Sequence, residues 1–200
     1  MVAAAHFFSS VAAAAVLLSF FSWSGSVASL PIRLKKEAAH STDQEDLCVH
    51  KWYTQPVDHF NYGEDSYVEF QHKYAMVDKY WGGPSSPIFA YLEGEDAMSP
   101  DVCSETSLVD AYASRFRPLF IFIEHRYYGD SVPFGSRDAA FSNTSTLGFF
   151  GAAQAVQDAA ELILSLRQNL SAHYSPVIVA GGSYAGSKNP ILIIKLNPPA

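Results

Sequence analysis

The residues of this chain best placed to do chemistry stand at 181–186 and read Gly181-Gly182-Ser183-Tyr184-Ala185-Gly186. A serine set among small residues and entered directly from the apolar run Val177-Ile178-Val179-Ala180 has the layout of a nucleophile elbow. In that motif a sharp strand-to-helix turn lifts the hydroxyl above a sheet. Side chains two residues to either side would collide with the turn or the following helix. Gly181 fits the first small position, and Ala185 takes the second, where glycine is usual. The chemistry such a serine does is acyl transfer, through attack on a carbonyl and a covalent acyl-enzyme. The backbone N–H of Tyr184, the residue after the nucleophile, is then one donor of an oxyanion hole. The alternative is an ordinary turn serine after a core strand, and the apolar strand leading into Ser183 weighs against it.

Other elements must hold that serine in place. Short apolar or alternating runs predict strands over residues 67–77, 88–92, 119–123 and 176–180, with a Gly/Pro-rich loop over 81–87. A helix is expected over about 105–114, ended by Pro118, and a longer one over 146–170. In the longer helix Phe149, Ala152, Val156, Ala159, Ile163, Leu166 and Leu170 recur at three- and four-residue spacing, with Gln154, Gln157, Asp158, Glu161 and Gln168 on other faces. Strands alternating with helices imply an α/β fold, a mostly parallel sheet with helices on both faces. Sites in such sheets lie beyond the carboxyl ends of the strands. Three polar clusters fall there, at residues 93–96, 124–129 and 181–185.

Composition narrows the function. The net charge of −7, with no basic run, argues against nucleic acid and against an anionic membrane surface. Residues 7–21 carry no charge, and Ser26-Val27-Ala28 offers a cleavage site, so residues 1–28 read as a secretory signal peptide. An uncleaved membrane anchor is the alternative; after cleavage no stable membrane span is expected. Residues 29–47 read as a mobile polar segment. Asn143-Thr144-Ser145 and Asn169-Leu170-Ser171 are acceptor sequons for glycosylation at Asn143 and Asn169. Cys48 and Cys103 are disulfide candidates, with each other or with partners outside the chain. Their spacing suits no metal site, and no metal or cofactor is expected. Oligomeric state leaves no mark in the sequence.

Four further motifs occur in order: Gln55-Pro56-Val57-Asp58-His59-Phe60-Asn61, Tyr80-Trp81-Gly82-Gly83, Glu124-His125-Arg126-Tyr127-Tyr128-Gly129 and Gly181-Gly182-Ser183-Tyr184. Together they resemble the serine peptidase family of lysosomal Pro-Xaa carboxypeptidase and dipeptidyl peptidase II, from about Cys48 to Gly186. The resemblance implies an α/β-hydrolase core and a Ser-Asp-His triad in that chain order. It also implies cleavage after proline near one end of a peptide, in the lysosome, vacuole or extracellular space. It implies Ser183 as nucleophile and puts the second oxyanion donor in the loop after an earlier strand, with Gly94 as candidate. Family members usually show Gly-Asn-Glu-Gly there, whereas this chain has Glu93-Gly94-Glu95-Asp96. His125 is not expected to be the base, because the triad order puts histidine after serine. Glu124, His125 and Arg126 are expected to make structural hydrogen bonds or an arginine–carboxylate pair, and Asp58 and His59 to be structural. A lipase or esterase on the same fold is disfavoured by the motifs at 55–61 and 124–129.

The pattern departs from the family after the elbow. Residues 184–200 contain no Asp, Glu or His, and Pro190 disfavours the helix expected there. The expectation is an α/β-hydrolase fold incomplete at its C-terminus, with 187–200 outside the family pattern, a bare edge on the last strand, and little or no activity. The alternative is a secreted, non-catalytic glycoprotein with a binding role.

Overall fold

The computed structural model describes residues 47–63, 67–105 and 107–182, and the backbone of a strand at 192–194. The signal peptide expected over 1–28, the polar segment up to residue 46, the elbow residues Ser183 and Tyr184, and the rest of the tail lie outside the described residues. In chain order the strands are β1 (Val49–Pro56), β2 (Glu69–Val77), β3 (Ile88–Leu92), β4 (Leu119–Ile123), β5 (Val177–Gly181) and β6 (Leu192–Ile194). The helices are α1 (Val102–Glu105), α2 (Leu108–Phe116), α3 (Arg137–Ala140), α4 (Thr144–Leu147) and α5 (Ala152–Asn169).

Leu119-Phe120-Ile121-Phe122-Ile123 is apolar at every position, as a strand covered on both faces must be, and all of β4 is buried. β3 lies parallel to β4 on one side and to β5 on the other, with Leu92 opposite both Ile123 and Gly181. The full order is β1-β2-β4-β3-β5-β6. The β1–β2, β2–β4 and β5–β6 pairings are antiparallel. The sheet is therefore mixed rather than mostly parallel. The physical reason lies at its first edge: no helix separates β1 from β2, and strands joined without a crossover helix pair antiparallel. At the other edge β6 pairs with β5, so the edge expected to be bare is covered by the apolar run 192–194.

Each face of the sheet has its own apolar layer. Ile88, Ala90, Leu119, Ile121, Val177 and Val179 meet Leu162, Ile163 and Leu166 of α5. On the opposite face Phe120 and Phe122 meet Val102 and Cys103 of α1 and Val109 and Ala113 of α2. Burying each such large side chain contributes about 1.5–3 kcal/mol relative to exposure.

The helix expected over 146–170 is broken in two. Gly151 caps α5 with extended backbone, and the intervening turn leaves the Phe149 carbonyl free to accept from Arg126. A second difference concerns the helix's polar stripe. Gln154 and Asp158, which the spacing puts off the apolar face, are buried, and so is Arg167.

Cys48, just before β1, is disulfide-bonded to Cys103 in α1, across 55 residues. Closing a loop of that length restricts the unfolded chain and stabilises by about 4 kcal/mol. Cys103→Ser is expected to lower the unfolding free energy by about that amount in chemical denaturation, and dithiothreitol to do the same to the unsubstituted protein.

Candidate active site

The parallel register brings the first two polar clusters of the sequence, and Gly181 and Gly182 at the start of the third, to one end of the sheet. β3 runs out at Leu92 into residues 93–96, β4 at Ile123 into Glu124-His125-Arg126, and β5 at Gly181 into Gly182. The Tyr128 hydroxyl donates to Glu95 Oε1 at 3.3 Å, so the first two loops touch. Ser183 and Tyr184 follow Gly182 directly and lie outside the described residues.

Gly182 is the last described residue before the nucleophile position, and a tyrosine hydroxyl crowds it. A Cβ there would lie 2.8 Å from the Tyr91 hydroxyl of β3, too close for a side-chain carbon. Gly94, the expected oxyanion-loop residue, sits two residues past β3, where an added Cβ would meet nothing within 4 Å. Packing therefore does not demand glycine at 94, and an oxyanion role there would use only its backbone.

The motif at 124–129 is a scaffold. The Glu124 carboxylate accepts from the backbone N–H of Met98 at 2.9 Å, Asp130 at 3.1 Å and Ser131 at 2.9 Å, and from the Ser131 hydroxyl at 2.6 Å. Those bonds tie the loop after β3 to the loop after β4. Gly129 has φ +52°, and a side chain on it would run into the Glu124 carboxyl, so glycine is required twice over. His72 of β2 hydrogen-bonds the Glu124 carbonyl, and its other ring nitrogen meets Gln55. Burial lowers the His72 pKa, so the ring is neutral, donating to the carbonyl and accepting from the amide.

Arg126 is fully buried and forks onto Asp158 of α5, Nε to Oδ2 and Nη2 to Oδ1, both at 2.6 Å. Its remaining reach goes to the Val57 and Phe149 carbonyls. His59 Nε2 meets Asp158 Oδ1 at 2.7 Å, while the His59 backbone N–H donates to Gln154 Oε1. Asp58 accepts from Phe60 N–H and from the amides of Asn61 and Gln154. Burial alone would raise Asp158, but hydrogen bonds from Arg126 and His59 and the guanidinium charge hold its carboxyl below the usual aspartate range. Arg126 thus has the carboxylate partner expected for it, and Asp58 and His59 pack as structural residues. The sequence pattern missed Asp158 and Gln154. Their signal was the four-residue spacing of two polar groups on α5, one turn apart, which reads equally well as a solvated stripe.

Glu93 is the unsettled group. It is partly exposed, yet its Oε1 is shielded from solvent and has no hydrogen-bond partner among the described residues. Burial, and then the negative charges of Glu105 and Glu124, push its carboxyl up to about 7. Among the described residues no group of three or more His, Cys, Asp or Glu is disposed to hold a metal ion.

A family profile described as Serine carboxypeptidase S28 matches residues 55–189. The chain is 37% identical over 136 residues to the human (Homo sapiens) protein named lysosomal Pro-X carboxypeptidase, covering 68% of this chain and 26% of that one. It is 33% identical over 181 residues to the Mus musculus protein of the same name, covering 86% and 36%. To the human thymus-specific serine protease it is 36% identical over 138 residues, covering 68% and 25%. The chain spans only about a quarter to a third of the length of these relatives.

Proposed function

This chain belongs to the serine carboxypeptidase S28 family, and from that premise we propose that it carries the nucleophile-bearing part of a serine exopeptidase that cleaves after proline near a peptide terminus. The observation that carries this reading is the end of β5. An interior, parallel strand delivers Gly181 and Gly182 to the carboxyl edge of the sheet, one residue before Ser183 and beside the end of β3. Ser183 is the acyl-forming group. Tyr184 N–H and the backbone at Gly94 are the oxyanion donors, and the Glu124 network steadies the loop after β3 that carries Gly94. Names of relatives such as Pro-X carboxypeptidase support proline-containing peptides as the substrate class. They also support a lysosomal destination, and the uncharged run at residues 7–21 supports entry to it through the secretory pathway.

The test is a fluorophosphonate probe, applied in large excess over a long incubation to the protein secreted from a eukaryotic host, so that a single slow phosphonylation registers without turnover. Labelling that disappears in Ser183→Ala supports the nucleophile. Absence of labelling, with a partner protein co-purifying, favours the non-catalytic glycoprotein instead.

Both sequon asparagines are exposed, and we propose that both carry glycans. Asn143 also caps α4, its Oδ1 accepting from Ser145 and Thr146 N–H, and a sugar on Nδ2 leaves that cap intact. Peptide-N-glycosidase is expected to remove two glycans. Ser145→Ala and Ser171→Ala should each remove one, leaving the Asn143 cap in place.

A further inference from the structure

Glu93 puts a carboxyl where acyl transfer has no use for negative charge, beside the strand end at which an oxyanion would develop. Among the described residues nothing around it supplies a free counter-ion. On β2, His72 is neutral through burial. Beyond β4, Arg126 is committed to Asp158, and His125 Nδ1 bonds the Arg126 carbonyl at 2.7 Å. Glu124 there and Glu105 on α1 add like charge, and on its own loop Glu95 and Asp96 are exposed acids. α5 contributes only Ala155 and Val156. Glu93 also lines a cavity of about 20 Å³, whose wall includes Leu92, Ile123, Glu124, His125 and Arg126, the last with its charge already paired to Asp158. That volume admits one group the size of a water molecule, and an ammonium head is such a group, with three donors and no acceptor.

Resting on the serine-peptidase reading above, we propose that Glu93 is a specificity-determining residue whose buried Oε1 receives an ammonium group of the peptide substrate. The ammonium is the substrate's free α-amino terminus or a lysine side chain. The first source makes the site one that trims from the amino end.

The pairing needs the ionised carboxylate, so it strengthens as pH rises through the region where Glu93 loses its proton. The experiment is calorimetric titration of the secreted protein with three peptides: Ala-Pro, N-acetyl-Ala-Pro and N-acetyl-Lys-Pro. At about pH 7.5, peptides bearing the recognised ammonium should bind at least about tenfold more tightly than N-acetyl-Ala-Pro. The preference should shrink at about pH 5 and vanish in Glu93→Gln. Tighter binding of Ala-Pro assigns the α-amine, and of N-acetyl-Lys-Pro the side chain. Equal binding of all three peptides by the unsubstituted protein, no binding of any, or an undiminished preference in Glu93→Gln overturns the proposal. The pH dependence of the unsubstituted protein is an independent arm should Glu93→Gln fold poorly. Fluorophosphonate labelling, recorded in parallel, separates the two readings. Labelling without ammonium preference removes the role of Glu93 alone, and preference without labelling removes the nucleophile alone.

Discussion

Purified residues 29–200 are expected to cleave proline-containing peptides no faster than their Ser183→Ala variant, in a fluorogenic assay run from acid to neutral pH. A serine hydroxyl is a weak nucleophile until a base takes its proton, and a carboxylate usually orients that base. Residues 184–200 offer no Asp, Glu or His for either task. The described histidines nearest the strand ends are otherwise engaged. His72 is buried between Gln55 and Glu124, His125 bonds the Arg126 carbonyl, and His59 bonds Asp158. Loss of the base costs serine peptidases roughly 10⁴–10⁶ in turnover, which sets the expected deficit against a protein with a complete triad. Proline-dependent cleavage by residues 29–200 that Ser183→Ala abolishes would sink this prediction.

The second large effect concerns the fold. Asp158→Ala should lower stability by about 3–5 kcal/mol, because it strands a guanidinium in the protein interior. Arg126 has no exposed surface, and the same carboxylate holds His59. Denaturant midpoints of the unsubstituted protein and Asp158→Ala measure it, with an Arg126→Leu/Asp158→Leu double variant as control. The double variant should recover much of the loss, since replacing both charges removes the stranded one. A single substitution costing less than about 1 kcal/mol would show that solvent reaches Arg126.

The pH dependence divides by sign. Asp158 is depressed in the folded protein, so its contribution is complete above the ordinary aspartate range and is lost only as pH falls through its lowered value. Glu93 is raised to about 7, so it favours the folded state increasingly as pH falls from there toward its ordinary value of 4.5. His72, lowered by burial, acts against folding as pH drops below its ordinary value of 6.5. Glu93→Gln should therefore melt higher than the unsubstituted protein near neutrality, with the gap narrowing in acid.

Much of the framework was legible because it rests on local pattern. The uniformly apolar 119–123, the short runs at 88–92 and 177–180, and the turn glycines each carry their own physical signature, and all three strands form where expected. What escaped depends on distant partners. β1 was missed because its residues alternate only loosely, and its pairing with β2 and then β4 decides the mixed sheet. Asp158 looked solvated because a helix's polar stripe does not announce a buried arginine coming from another strand's end. Arg126 was read as making structural hydrogen bonds or a carboxylate pair, but nothing in the spacing could say that the carboxylate lies 32 residues on. Glu93 was visible as a departure from the family's loop, but its isolation emerges only once β2, β4, α1 and α5 close around it.

The Cys48–Cys103 bond also bears on the order in which the chain can assemble. The covalent ring contains β1, β2 and β3 but not β4, which lies between β2 and β3 in the finished sheet. On a nascent chain the ring can close while the slot between those two strands is empty, leaving unpaired edges and bare apolar faces. β4 must then enter a loop already sealed, while β5 lines the other side of β3 with a partner 89 residues away, as in Ile88 and Val177. Early oxidation thus favours a trapped, sticky intermediate, and late oxidation a smooth passage. Refolding yield should depend on when the thiols are oxidised as much as on whether they are.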